Sequence, residues 1–157
     1  MVKGTLLTPD IVADLVTDCL GTVKVLCIVG RCMTGKTMSL KRWSEAACEA
    51  GTVRVAYVDN HTLLASSAVE IAFDGNVKGA SPGHYPMFDL AGADVVIVDE
   101  PLQNRELVAR LLAHTDVNKG PFMHRLLVIP VQEERVLDIL ELPRSAMRMY
   151  SVEGVRL

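Results

Sequence analysis

Gly30-Arg31-Cys32-Met33-Thr34-Gly35-Lys36-Thr37 decides how the rest of this chain is read. The octapeptide fits GxxxxGK[ST] at every fixed position, the spacing of a phosphate-binding loop (P-loop). Its surroundings suit that motif. Val23 to Val29 is a short, mostly apolar, β-branched run that predicts a buried strand. Lys36 to Ala50 predicts a helix, with Gly51 as its C-cap. A strand, a glycine-bounded turn and a helix N-terminus are the context in which such a loop works.

Each residue type in the loop has a physical task. Gly30 is expected to let the chain leave its strand in a conformation that a side chain resists. Gly35 is expected to let the backbone come close to phosphate. Backbone N–H groups from Gly30, Arg31, Cys32, Met33, Thr34 and Gly35 through to Met38 would cradle anionic oxygens together with the helix N-terminus. Lys36 would neutralise charge on the β- and γ-phosphates, and the Thr37 hydroxyl would be a magnesium ligand. The plain alternative is an ordinary glycine turn before a helix.

Magnesium also needs an acidic partner. Ala93-Asp94-Val95-Val96-Ile97-Val98 predicts a buried strand that Asp99-Glu100-Pro101 stops. This resembles a Walker B element. Asp99 would hold the magnesium, mostly through water, because magnesium keeps much of its hydration shell. Glu100 would polarise the attacking water as general base. A strand ending in two solvated acids is the alternative. GTPases share a DxxG after that aspartate and a later NKxD. Here Glu100, Pro101 and Leu102 follow Asp99, and Asn118-Lys119-Gly120-Pro121 lacks the guanine-reading aspartate. ATP is the expected nucleotide.

Outward from these motifs, strands and helices alternate. Thr8-Pro9-Asp10 is a helix start with Thr8 as N-cap, and Ile11, Val12, Leu15, Val16 and Leu20 repeat at helical spacing until Gly21. Val53 to Val58 predicts a second strand, ending at Asp59-Asn60, and Thr62 to Ala72 a helix. Residues 73–89 hold Gly75, Gly79, Pro82, Gly83 and Pro86 and read as an irregular loop. Lys78, His84 and Tyr85 would give it charge and stacking capacity towards a substrate. Leu102 to Ala113 predicts a helix, Arg125 to Ile129 a strand, Gln132 to Leu142 a helix ended by Pro143, and Met147 to Val152 a strand, with Gly154 offering a turn. Trp43, Met147 and Met149 are expected in the core.

The expected fold class is therefore α/β: a three-layer P-loop NTPase core with a mainly parallel five-stranded sheet flanked by helices. Residues 1–157 form one domain on this reading, with a helix within residues 1–21 packed on the core. Half of the 157 residues are apolar and 22% are charged, which argues against disorder. The net charge of −3 argues against a broad basic surface for nucleic acid, though not against a local contact.

Cys19, Cys27, Cys32 and Cys48 show no CxxC spacing and read as free thiols of a reducing compartment. Cys32 alone lies in the phosphate loop, where oxidation would block a ligand. His61, His84, His114 and His124 show no metal spacing. There is no signal-peptide core at the amino terminus and no run near the ~18 apolar residues that span a bilayer. The expectation is a soluble, cytoplasmic protein without membrane insertion.

The order of features resembles the additional-strand, catalytic-glutamate ATPases, the group of RecA-like and AAA+ motors. The resemblance covers roughly residues 22–152, and the two Walker elements are its specific part. It implies a polar sensor after the fourth strand, for which Gln132 is the candidate, although Pro130 and Val131 depart from the usual residues there. A helix-start glutamine is the alternative. It also implies an arginine that reaches a neighbouring subunit's nucleotide, with Arg144 and Arg148 in the matching region, or else as plain surface arginines. Self-association in a ring or dimer follows from the same resemblance. The segment from Leu142 to Val152 resembles, more weakly, DNA-pumping ATPases of the HerA–FtsK group. Few residues follow the last predicted strand, so the expectation is a bare core or one that takes its helical lid from a partner.

Three functions compete. The first is magnesium-dependent ATP hydrolysis that drives movement or assembly, on nucleic acid or in a larger complex. The second is a small-molecule kinase, which needs an arginine-rich lid; Arg105 and Arg110 lie between Asn104 and Arg110, in a stretch that reads as helix. The third is a nucleotide-binding adaptor without significant turnover, against which Lys36, Thr37, Asp99 and Glu100 all argue.

Overall fold

The computed structural model describes residues 3–4, 6–31, 34–51, 53–58, 93–117 and 124–152, with the backbone alone for 3–4. In chain order the elements are β1 (Lys3–Gly4), α1 (Pro9–Cys19), β2 (Val25–Val29), α2 (Lys36–Ala50), β3 (Val55–Val58) and β4 (Val95–Val98). A 3-10 turn (Pro101–Asn104), α3 (Arg105–Ala113), β5 (Leu126–Val131), α4 (Val136–Ile139), a second 3-10 turn (Arg144–Ala146) and β6 (Met147–Val152) complete them. The expected helix at 62–72, the 73–89 loop, Asp59 and the 118–121 segment lie outside the described residues, as do Cys32, Met33 and Gly154.

The sheet runs β1-β6-β2-β5-β4-β3, and all five strand pairs among the described residues are parallel. It has six strands where the sequence predicts five, because Lys3–Gly4 adds a two-residue parallel edge to β6. Two residues carry no periodicity, so no pattern could reveal them. β5 is interposed between β2, which leads into the phosphate loop, and β4, which leads into the acidic pair.

Period-two alternation sorts the strand residues onto two faces. Leu26, Ile28, Val55, Tyr57, Val95, Ile97, Leu126 and Val128 pack with Val12, Leu15 and Val16 of α1 and Leu40, Trp43 and Ala47 of α2. Val25, Cys27, Val96, Val98, Leu127 and Ile129 pack on the other face with Leu107, Val108 and Leu111 of α3 and with Val136 and Leu137 of α4. The α/β fold with three layers is as expected. Trp43 is buried, and Met147 and Met149 pack against the second face. Burial pushes the Cys27 thiol up to about 12 and raises Cys19 too, so these behave as apolar fillers at neutral pH.

Local chemistry explains the element bounds. Thr8 caps α1, its Oγ1 accepting from Ile11 N at 3.3 Å, and Pro9 fills the first turn. Gly51 closes α2 in a left-handed conformation. Pro130 sits inside β5, a central strand on which a proline is least expected. Leu127 N bonds Lys24 O, on the β2 side, and Leu126 N bonds Asp94 O, on the β4 side. Residue 130 shares the orientation of residue 126, so the missing N–H faces β4, whose pairing with β5 ends at Ile97–Val128.

Two predicted helices are shorter than expected. The stretch from Leu102 to Ala113 begins as a 3-10 turn and becomes helical only at Arg105. The stretch from Gln132 to Leu142 keeps only the four-residue α4. Gln132 to Arg135 are all exposed and give a helix nothing to bury, and Glu141 takes a φ of 54°, which ends the turn. Among the described residues no helix is long and apolar enough to cross a membrane.

Candidate functional site

The C-terminal ends of β2, β4 and β5 converge on one cavity of about 700 Å³. Thr34, Gly35, Lys36, Thr37 and Met38 line it from the phosphate loop and the start of α2. Asp99 and Glu100 line it from the end of β4, and Gln132 from the end of β5. Pro101, Leu102, Val136 and Ile139 form a more apolar wall. Residues that are distant in sequence meet here because parallel strands all present their C-terminal ends to the same edge.

Both glycines of the loop sit where a Cβ would be crowded. Gly35 has φ +83°, and a Cβ there would lie 3.1 Å from the Leu7 carbonyl oxygen. Gly30 is different from expectation: its φ is not in the left-handed range, and what a side chain would meet is crowding. A Cβ would meet Thr34 Oγ1 at 3.0 Å and Val152 O at 3.1 Å. The loop is also held from behind. Leu7 N donates to Thr34 O at 3.0 Å, and the Ser39 hydroxyl donates to Leu7 O at 2.7 Å.

The Lys36 ammonium donates to the carbonyls of Gly30 and Arg31, the latter at 2.8 Å, and to Thr34 Oγ1 at 3.1 Å. Its charge is thus centred on the loop. Arg31 is exposed and does not line the cavity.

Asp99 is 8% exposed and its carboxylate is gripped on both oxygens. The Thr37 hydroxyl donates to Oδ2 at 3.0 Å, the Tyr57 hydroxyl donates to Oδ2 at 2.5 Å, and Glu100 N donates to Oδ1 at 3.1 Å. A threonine oxygen beside a carboxylate is a hard-oxygen donor pair of the type magnesium takes, with water and phosphate completing the shell. Among the described residues no group of three or more His, Cys, Asp or Glu side chains could hold a metal. The donor set fits a magnesium that arrives with a phosphate ligand.

Glu100 is exposed, with φ 60° and ψ 55°, a left-handed backbone uncommon outside glycine. Asn104 Nδ2 donates to its carbonyl at 3.1 Å, and so does Gln103 N. These bonds hold the strand end in a sharp corner and keep Glu100 at the cavity wall.

Two residues at the site escape a sequence reading. Tyr57 reads as one more core residue of an apolar strand, and only the β3–β4 register puts it on the same face as Asp99. Arg135 lines the cavity and ion-pairs with Glu133; a lone arginine in a polar stretch carries no signal. Arg144 and Arg148 do not line the cavity. Arg144 pairs with Asp138 at 3.0 Å and Glu134 at 3.6 Å, and Arg148 pairs with Asp18 at 3.7 Å. Arg148 is registered with Leu26, near the start of β2, whereas the loop follows the end of that strand. Arg105 and Arg110 sit on α3 and do not line the cavity either, so no arginine-rich lid is formed by that segment.

No family model matches the chain, and no curated protein matches it. Solved structures do. Cdc6p from Pyrobaculum aerophilum is similar with a TM-score of 0.57 and 20% identity, over 92% of this chain and 43% of that one. A chain in Drosophila ORC bound to poly(dA/dT) DNA and Cdc6 is similar with a TM-score of 0.55 and 11% identity, over 94% of this chain and 28% of that one. A chain in Drosophila ORC bound to AT-rich DNA and Cdc6 has a TM-score of 0.54 and 12% identity, over 94% of this chain and 28% of that one. The chain thus spans less than half the length of these structures. At these identities the likeness concerns the fold alone, an α/β core with a parallel sheet flanked by helices. The weaker resemblance to the HerA–FtsK group draws no support from these comparisons.

Proposed function

We propose that this chain binds ATP with magnesium at the Gly30–Thr37 loop and hydrolyses it. The observation that carries the reading is the meeting of Thr37 and Asp99 at 3.0 Å, inside a cavity that Lys36, Glu100 and Gln132 also line. The loop N–H groups, Cys32 and Met33 included, and the N-terminus of α2 bind phosphate oxygens. Lys36 neutralises charge on them. Thr37 and Asp99 are the residues that would hold magnesium, which supplies charge neutralisation at the β- and γ-phosphates. Glu100 takes a proton from the attacking water, and Gln132 contacts the γ-phosphate.

ATP rather than GTP is supported by the missing DxxG and NKxD patterns. The work that hydrolysis drives is assembly on DNA within a larger complex. Two of the structural neighbours are described as ORC bound to DNA, which supports this setting. The net charge of −3 favours contact through a complex over a broad grip by this chain alone. Arg144 and Arg148 lie off their own cavity, as an arginine serving a neighbouring subunit would.

Glu100→Gln tests the hydrolytic role. The variant is expected to bind ATP as the parent does while phosphate release falls by about 100-fold or more. Normal turnover in Glu100→Gln would remove Glu100 from the mechanism.

A further inference from the structure

We infer that Tyr57 is a positioning residue for the magnesium carboxylate: its hydroxyl fixes the orientation of Asp99 and thereby sets the divalent-cation affinity of the site. The inference rests on the magnesium reading of Thr37 and Asp99 given above. Tyr57 is 1% exposed, on a strand whose other residues, Val55, Ala56 and Val58, are all apolar. A buried phenol needs a polar partner, and a phenylalanine would fill the same space without one. Its hydroxyl lies 2.5 Å from Asp99 Oδ2.

That oxygen also accepts from the Thr37 hydroxyl, while Glu100 N occupies Oδ1. Of the two hydroxyls on Oδ2, only Thr37 belongs to the proposed donor set. Tyr57 therefore restrains the carboxylate however the Thr37 oxygen is used. The register makes this geometry reproducible. Tyr57 pairs with Ile97, and Asp99 N donates to Val58 O, so Tyr57 and Asp99 project from the same face of adjacent strands. The helix α2 steadies the arrangement from above: Lys41, one turn beyond Thr37, places its ammonium 5.7 Å from the centre of the Tyr57 ring. Partners of this kind fix a ligand's orientation and change metal affinity when removed.

The test is Tyr57→Phe, read by magnesium titrations of the binding of a fluorescent ATP analogue, with a parallel titration in EDTA. The magnesium concentration for half-maximal enhancement is expected to rise about 10-fold or more. Binding in EDTA should stay within about 2-fold of the parent, because the loop is untouched. An unshifted magnesium midpoint in a folded Tyr57→Phe would overturn the inference, leaving Tyr57 as packing. If Tyr57→Phe does not fold, Lys41→Met carries the prediction with a smaller rise of about 2–3-fold, and an unshifted midpoint there overturns it. A parent whose nucleotide binding ignores magnesium would instead take down the proposed function, and the inference with it.

Discussion

Gly35 combines two constraints that strain a side chain, a φ of +83° and the Leu7 carbonyl oxygen 3.1 Å from where a Cβ would sit. Gly35→Ala is expected to cost about 1–2 kcal/mol for the left-handed backbone alone, read as a lower urea midpoint at unchanged slope. Nucleotide affinity should fall with it, since Lys36 and Thr37 follow directly. A variant as stable as the parent would show that the loop relaxes freely around that position. At this scale much of the site is legible in the sequence. Lys36, Thr37, Asp99 and Glu100, named from the two motifs, and Gln132, named from the family resemblance, line one cavity. Tyr57 is not legible, because its meaning lies in a partner 42 residues away and in a strand register that no local pattern encodes. Gly30 has ordinary backbone, and what a Cβ there would meet is crowding by Thr34 and Val152.

At the scale of elements, caps are the readable signal. α1 starts where Thr8-Pro9 says, α2 runs from Lys36 to the residue before Gly51, and both bounds follow from named side-chain or glycine chemistry. Strand starts fall two residues later than the apolar runs suggest, at Val25, Val55 and Val95 in place of Val23, Val53 and Ala93. Apolar content runs ahead of the ladder there, and Lys24, Arg54 and Asp94 make connecting backbone bonds just outside it. The length of α4 is unreadable because its apolar residues fit a single turn as well as three. Thr8→Ala is expected to remove about 1 kcal/mol by exposing the first turn of α1. A thermal melt would show a fall of roughly 2–4 °C. No shift would mean that Pro9 and the burial of Val12 and Leu15 hold that end without the cap. Because Leu7 is bonded to Thr34 and Ser39, the entry to α1 also braces the phosphate loop.

Across the whole molecule, the sheet order puts the loop after β2, the acidic corner after β4 and Gln132 after β5 on one edge. Alternating strands and helices suggest a parallel sheet, but not which strand sits between which. That order depends on long-range pairing, which local periodicity does not carry. The central claim is that this edge binds magnesium–ATP. Calorimetric titration of ATP with magnesium into the parent and into Lys36→Ala tests it most directly. Saturable binding to the parent that magnesium strengthens is expected, with a loss of about 10-fold or more in Lys36→Ala, the value of a charge-assisted bond. A parent that takes up no ATP, or a Lys36→Ala variant that binds it equally well, would contradict the claim.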